Sequence, residues 1–238
     1  MASIINTVRA TVLSIANKNN YGYITPSDFN LYAKQAQLDI FEDYFYQYNN
    51  WIVKQNARVS GSGYADIVKG LVEVVDSFSE TSLFSPILNQ FPLPSDYYLV
   101  NKIYFIPDNT EIERVSQSKI LSLNASQLTA PSEMFPAYTL EGNTVTLYPS
   151  STKSVQVQYI RYPKDPKWTY VSLSQGEPVF DQSAADYQDF ELPLSDQVNL
   201  VSKILQYAGM SIREIPLVQF GQGEESIENT QQDKIWHI

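Results

Sequence analysis

The chain has 238 residues, enough to bury the core of one large domain or of two small ones. Only 18% of the residues are charged, below the roughly 25% of typical soluble proteins, so the predicted surface is polar but weakly charged. The net charge of -10 argues against a general nucleic-acid-binding protein, which needs a basic surface. It does not exclude contact with moving DNA, because an acidic lining repels DNA and keeps it from sticking.

The residues needed for most catalytic and metal sites are missing from the sequence. There is no cysteine, which excludes disulfides, thiol nucleophiles and thiolate metal ligands. The single histidine, His237, is next to last, where a general base is poorly held. No stretch approaches the ~18 apolar residues of a membrane span, and the N-terminus lacks the pattern of a signal peptide. We expect a protein that is not an enzyme, has no cofactor or metal and no membrane partner, and stays in a cytoplasm or in a particle assembled there.

Two helices are predicted near the N-terminus. Apolar residues at positions 4, 5, 8, 12 and 15 recur at helical spacing, and this first helix ends near residues 17–20. The second helix opens with a cap at Thr25, a proline at the first helical position and Asp28 near the positive helix end. Residues 60–63 form a flexible break, residues 65–75 suit a short helix or a strand, and residues 77–94 read as a loop.

The second helix carries more aromatic residues than a simple two-layer packing needs. One stripe is followed by a further aromatic set that lies on or beside it; the stripe comprises Phe29, Ala33, Ala36, Ile40 and Tyr44, and the further set Phe41, Phe45, Tyr48 and Trp51. Either both faces are buried inside this chain, or one face meets a neighbouring subunit. The sequence leaves both alternatives open, because aromatic residues serve cores and interfaces alike.

The middle of the chain reads as β structure. Aromatic and β-branched residues, alternating polar and apolar positions, and a Gly-Asn turn at Gly142 predict an antiparallel sheet or a small sandwich. The candidate strands are residues 97–106, 111–115, 137–140, 144–148 and 155–161, with a helical turn over residues 119–128.

A proline-rich arm follows the β region. Prolines at 163 and 166 cannot continue a central strand, so residues 163–168 are expected to leave the sheet, with pairing resumed over residues 169–173. Arg161, Lys164 and Lys167 beside Trp168 form a basic-aromatic cluster that suits a sugar, a base or a protein partner. An interface arm is the favoured interpretation.

The acidic residues that follow are the remaining candidates for chemistry. Asp181, Asp186, Asp189 and Glu191 lie close together in a predicted exposed loop over residues 176–189. A glycosidase needs two carboxylates at a fixed separation, and an EF-hand needs a defined spacing with a central glycine that this segment lacks. A solvated acidic loop is therefore favoured over a calcium site or a carboxylate hydrolase.

The last predicted helix starts at residue 194 with Ser195 as its cap and ends near residues 213–214. Its apolar stripe comprises Val198, Val201, Ile204, Leu205 and Ala208. The acidic tail that follows has apolar anchors at Ile235 and Trp236, which suit docking on a partner.

The predicted fold class is α+β, with N-terminal helices and a C-terminal helix packed with a central antiparallel sheet or small sandwich. The predicted regions are 1–92, helical; 93–192, mainly β; 193–214, a helix packing back on the N-terminal helices; and 215–238, a tail or docking arm.

Four sequence blocks resemble the head-to-tail connector, or ring adaptor, proteins of short-tailed bacteriophages, particularly of the crAss-like type. The blocks are Ile24-Thr-Pro-Ser-Asp-Phe-Asn with Ala33-Lys-Gln-Ala-Gln-Leu-Asp-Ile-Phe; Leu93-Pro-Ser-Asp-Tyr-Tyr; Tyr159-Ile-Arg-Tyr-Pro-Lys-Asp-Pro-Lys-Trp; and Phe190-Glu-Leu-Pro-Leu-Ser-Asp with the following helix to Arg213. They occur in order along most of the chain, and none carries a catalytic signature.

The resemblance implies a homo-oligomeric ring, commonly of twelve copies, that lies beneath the portal in the virion and surrounds a DNA channel. It implies contacts with the portal, with other ring or tail proteins and with passing double-stranded DNA without sequence-specific binding. The interface residues expected on this interpretation are Phe41, Phe45, Tyr48, Trp51, Arg161, Lys164, Lys167, Trp168, Ile235 and Trp236. The main alternative is a carbohydrate-binding tail or receptor-binding module that uses Trp168 and nearby tyrosines as a stacking surface.

Overall fold

The computed structural model describes residues 3–18, 24–57, 72–172 and 177–212. The chain divides into two compact units, one formed by Met1–Val74 with Pro163–Ile238 and the other by Val75–Tyr162. We call them the helical unit and the β unit. Both ends of the chain therefore build the first unit, and its middle builds the second. The predicted tail over residues 215–238 lies outside the described residues.

The predicted α+β class is confirmed. The helices are α1 (Ile4–Lys18), α2 (Pro26–Ala57), α3 (Gln117–Asn124) and α4 (Gln197–Ile212), and residues 72–77 are also helical. The strands are β1 (Ser79–Phe84), β2 (Gln90–Pro92), β3 (Tyr97–Phe105), β4 (Glu113–Arg114), β5 (Ala137–Glu141), β6 (Thr144–Tyr148), β7 (Val155–Arg161), β8 (Tyr170–Ser172) and β9 (Pro178–Phe180).

In the helical unit, α4 packs against both α1 and α2, as predicted for the last helix. Helix α1 buries Ile5, Val8 and Val12, which lie at the predicted helical spacing. The predicted stripe on α4 is wrong at Val198, which is exposed, whereas Leu200 is fully buried. The two residues lie on nearly opposite sides of a helix, and the face that includes Leu200 and Ile204 is the one turned toward the core.

The β unit contains two sheets that share one core. One sheet has the strand order β1-β7-β3, and the other has the order β2-β6-β5-β4. All pairs are antiparallel except β4 with β5. Val100 and Val157 from the first sheet meet Val145 and Leu147 from the second in one buried cluster. Of the two predicted arrangements, the small sandwich is therefore the one observed.

The predicted hairpin is confirmed, since β5 and β6 pair around Gly142, whose φ of 56° suits glycine. The predicted loop over residues 77–94 is wrong, because β1 and β2 lie in it, and β9 lies in the predicted acidic loop. Strand β1 pairs with β7, whose residues come more than 70 positions later, so the short sequence Ser-Glu-Thr-Ser-Leu-Phe carries little local signal. The strands thus begin at Ser79, inside the segment predicted to be helical.

Candidate functional site

The start of α2 has the predicted cap. The main-chain N–H of Asp28 donates to Thr25 Oγ1 at 3.1 Å, and the Thr25 hydroxyl donates to Asp28 Oδ2 at 2.6 Å. The main-chain N–H of Phe29 also donates to the Thr25 carbonyl oxygen at 2.9 Å. These bonds satisfy main-chain groups that an uncapped helix would leave open, and they fix where α2 begins.

The aromatic residues of α2 point mainly into the chain's own core. Phe41 and Phe45 are buried, with ring centroids 4.7 Å apart. For these two residues, the alternative of burial within the chain holds, and the expected subunit contact does not. Tyr48 is half-buried, and the large exposed aromatic residue is instead Tyr46, on the other side of the helix. The side chain of Trp51, and both Ile235 and Trp236, fall outside the described part of the chain.

A buried glutamine on α2 joins the two chain segments that follow the β unit. Gln37 is 1% exposed; its Nε2 donates to the Lys164 carbonyl oxygen at 2.8 Å, and its Oε1 accepts from the Glu191 N–H at 3.0 Å. About two turns earlier, the Asn30 amide makes a reciprocal pair with the main chain of Trp168, at 2.8 and 3.2 Å. The proline arm therefore lies along α2, held through its main chain by two amide side chains.

Trp168 is a core residue and not the exposed ring that was predicted. It is 2% exposed, with the Arg9 guanidinium carbon 3.7 Å above its ring centroid. Its indole Nε1 donates to Asn6 Oδ1 at 3.1 Å, and the rings of Tyr170 and Phe180 stack with it. Tyr170 lies in β8 and Phe180 lies in β9, so this strand pair covers the Trp168 end of the proline arm. Trp168 therefore offers no free face to a sugar or to a partner subunit.

The predicted basic cluster is divided between the two units. Arg161 ends β7 in the β unit, where its Nε lies 3.3 Å from Glu80 Oε2. Lys164 and Lys167 belong to the helical unit; Lys167 Nζ lies 2.5 Å from Asp186 Oδ2, and the Lys164 N–H donates to Glu191 Oε2 at 2.8 Å. The lysines are exposed, so they remain available at the surface, but the aromatic partner expected beside them is buried.

Each carboxylate of the predicted acidic cluster has a structural partner. Asp189 accepts the main-chain N–H groups of Ile4 at 3.0 Å and Ile5 at 2.8 Å. Helix α1 has no acidic residue in its own first turn, so a residue from the far end of the unit supplies this charge. Hydrogen bonds from Ser183 lower the pKa of Asp181, and the bond from Lys167 lowers the pKa of Asp186.

These bonds give Asp181, Asp186, Asp189 and Glu191 structural partners within the chain. Over the residues that the structure describes, no group of three or more His, Cys, Asp or Glu side chains is placed to hold a metal ion. His237 lies outside that part of the chain.

Among the residues that the structure describes, one acidic side chain is buried. Asp196, at the 3-10 turn before α4 (Leu194–Asp196), is 7% exposed and accepts a 2.5 Å hydrogen bond from the Tyr44 hydroxyl. Burial raises the pKa of Asp196, and the bond from Tyr44 opposes that shift. The predicted cap of this helix, Ser195, makes no capping bond; the turn has no side-chain cap.

The exposed apolar side chains of the β unit were missed by the sequence analysis. Ile87 and Leu88 are 78% and 84% exposed, and Met134 and Phe135 are 78% and 77% exposed. Ile87 and Leu88 occur in the segment predicted to be a loop, and Met134 and Phe135 lie between the predicted helical turn over residues 119–128 and the predicted strand over residues 137–140. No sequence pattern would have identified them, because each stands beside a turn rather than on a periodic element.

None of the described helices is both long enough and apolar enough to cross a membrane. No protein-family model matches the chain, and no curated protein matches it in sequence.

Proposed function

We propose that this chain is a structural virion protein of a tailed bacteriophage. It forms a ring between the portal and the tail that continues the DNA channel, as in the connector proteins of short-tailed, crAss-like phages. On this proposal it is not an enzyme, it acts as a homo-oligomer of about twelve copies as the resemblance implies, and it is assembled in the cytoplasm of the bacterial host.

The observation that carries the proposal is the way the four resembling blocks meet. In the β unit, the second block contacts the start of the third: the Tyr162 N–H donates to the Asp96 carbonyl oxygen at 2.8 Å, and Tyr97 pairs with Arg161. In the helical unit, the rest of the third block and the start of the fourth bind the same side chain of the first, Gln37.

The bonds of Gln37 span 127 and 154 positions of sequence and bring residues of three blocks together in one unit. Their contacts support the interpretation that the blocks encode one shared architecture. The acidic character of the chain supports a channel through which DNA passes without binding.

The test is to locate the protein in purified phage particles. Virions of the phage that encodes the chain should contain it at a ratio to the portal protein that fits a ring, measured by quantitative mass spectrometry. Gold-labelled antibodies should mark the head–tail junction in electron micrographs. Absence from the particles, or labelling only at the distal end of the tail, would overturn the proposal.

The carbohydrate-binding alternative depends on an accessible stacking ring. The burial of Trp168 beneath Arg9 removes one of the rings on which that alternative was based, whereas the neighbouring Tyr170 is 46% exposed. Labelling at the tail tip together with glycan binding by the isolated protein would be the result that restores it.

A further inference from the structure

Four exposed apolar residues of the β unit lie in segments that meet at one end of its sandwich. Strand β2 begins at Gln90, opposite Thr146, and β5 begins at Ala137, opposite Tyr148. The segments that lead into these strands therefore reach the four-stranded sheet at the same end. Only β6 separates β2 from β5, so the two segments arrive roughly 10 Å apart. We call this end, with Ile87, Leu88, Met134 and Phe135, the loop end.

Ion pairs show that two further loops converge there. Lys153 Nζ, in the connection from β6 to β7, lies 3.6 Å from Asp108 Oδ2 and 3.9 Å from Glu133 Oε2. Asp108 follows β3, and Glu133 stands beside Met134. Four connections of the sandwich thus meet around the apolar residues, as recognition loops do at one end of other sandwiches.

Ile87 and Leu88 lie in a hydrogen-bonded turn whose backbone conformation costs free energy. The N–H groups of Ile87 and Gln90 each donate to the other's carbonyl oxygen, at 2.9 and 3.0 Å. Leu88 and Asn89 have φ values of 50° and 61°, in the left-handed region. Asn89 is anchored by two bonds to Leu147, at 2.9 and 3.0 Å. Asparagine suits this conformation, whereas leucine costs about 1 kcal/mol there and, being 84% exposed, gains almost no burial in return.

The second apolar pair is also held by a closed turn. The N–H groups of Ser132 and Phe135 donate to each other's carbonyl oxygens at 3.2 and 3.1 Å, and Ser132 Oγ accepts from the Phe135 N–H at 3.3 Å. Both apolar pairs are therefore presented on fixed backbone. A backbone that is already fixed loses less conformational entropy on binding, which favours affinity. Large apolar side chains that are exposed to solvent in one place are typical of a docking surface.

Charge determines which partner fits. The loop end has two exposed carboxylates, Asp108 and Glu133, for one lysine, and the whole chain carries a net charge of -10. The same end of a second copy would place like charges across the contact, and an anionic membrane surface or a nucleic acid would be repelled in the same way. An apolar patch surrounded by lysine or arginine on a different protein would match both the apolar residues and the acidic rim.

We propose that the loop end docks onto an apolar patch with a basic rim on a protein other than this chain. This inference rests on the proposed function, which makes the partner an adjoining component of the phage neck. The apolar residues provide most of the affinity, and the carboxylates increase the rate of association.

The test uses the full-length chain and, as probes, the purified portal protein and each other neck protein encoded by the same genome. The loop-end variant combines Ile87→Thr, Leu88→Asn, Met134→Gln and Phe135→Ser. The matched control is Leu31→Gln with Tyr46→Ser, which removes two exposed apolar side chains from α2. We expect the wild type and the control to bind one probe with equal affinity and the loop-end variant to bind it at least about tenfold more weakly.

A second variant tests the charges. Asp108→Asn with Glu133→Gln should slow association about twofold to fivefold at low salt and leave the rate unchanged at high salt.

The outcomes separate the two proposals. If the loop-end variant binds as tightly as the wild type, the loop-end inference fails while the proposed function stands. If the wild type binds none of the probes, the proposed function fails and the inference falls with it. If the substitutions convert an oligomer of this chain into monomers without affecting the probes, the loop end is a contact between copies, which also overturns the inference. Phe135→Ser alone serves as the variant if the combined one does not give a wild-type circular dichroism spectrum.

Discussion

In the helical unit, Phe29, Phe41 and Trp168 are almost completely buried, whereas in the β unit Ile87, Leu88 and Phe135 are more than three quarters exposed. The helical unit also places polar groups inside, with Gln37 and Asp196 bonded to distant parts of the chain. The core of the β unit is formed by apolar residues from two sheets, and further apolar residues are exposed at its loop end.

The difference shows that apolar composition alone does not locate an interface. The aromatic helix, which has the densest set of large rings, uses several of them to hold its own unit together. At the loop end, by contrast, a smaller set of exposed apolar residues sits on turns. Substitutions of the same chemical kind should therefore have opposite consequences in the two units.

The largest effect is expected for Trp168→Ala. The substitution removes a buried indole that contacts Arg9, Tyr170 and Phe180, and it should lower the free energy of unfolding by about 3–5 kcal/mol. Urea denaturation followed by circular dichroism measures this. The control Tyr46→Ala removes an exposed ring from α2 and should change stability little. Wild-type stability in Trp168→Ala would show that the ring does not belong to the core.

A smaller loss is expected for Gln37→Leu. The leucine fits an apolar helix face but leaves the Lys164 carbonyl oxygen and the Glu191 N–H without their buried partner, which should cost roughly 2–4 kcal/mol. Gln35→Leu is the control, because Gln35 is exposed on the same helix and bonds only locally to Asp39. Equal denaturation midpoints for the two variants would contradict the role of Gln37 as the link between the segments.

Asp189→Ala should destabilise the helical unit by about 1–2 kcal/mol, since two N–H groups at the start of α1 lose their acceptor. Hydrogen exchange at Ile4 and Ile5 should accelerate in this variant. Asp186→Ala, which removes an exposed partner of Lys167, should leave exchange at α1 unchanged. Unchanged exchange in both variants would mean that α1 does not depend on the carboxylate.

The smallest effect has the opposite sign. Leu88→Asn should raise the free energy of unfolding by about 0.5–1 kcal/mol, because asparagine adopts the left-handed backbone at lower cost. Ile87→Asn in the same turn is the control; Ile87 does not have a positive φ, so no gain is expected. Thermal denaturation compares the two. A loss of stability in Leu88→Asn would show that the leucine packs against its own chain, which would weaken the docking proposal.

The parts of the fold that were predictable from sequence are those with local signals. Apolar spacing identified α1 and α4, the Thr25-Pro26 cap identified the start of α2, and Gly142 identified the β5–β6 turn. Strands β1, β2 and β9 were missed because their stability comes from partners that are distant in sequence, or from very short pairings.

The candidate site was less predictable, for a related reason. Gln37 reads as a surface residue, since nothing near it in sequence shows that Lys164 and Glu191 come to bind it. Trp168 reads as an exposed arm residue because the groups that cover it, from Arg9 to Phe180, are spread over most of the chain. The burial of a side chain depends on residues from the whole fold, so it cannot be predicted from the few neighbouring residues of a motif.

The β unit is encoded between the two sequence segments of the helical unit, and this order has a consequence for folding during translation. The β unit is complete once Tyr162 has left the ribosome, because its first and last segments already bond to each other through Phe78 and Arg161. Helix α2, by contrast, needs the arm and α4, which are made about 100 and about 140 positions later, a delay of roughly 5–30 s at ordinary elongation rates. During that interval the apolar face around Phe29 and Phe41 has no partner from the C-terminal segments. Nascent chains in which Tyr162 has left the ribosome but α4 has not should therefore contain a folded β unit behind an N-terminal segment that chaperones recognise, and release from them should wait for α4.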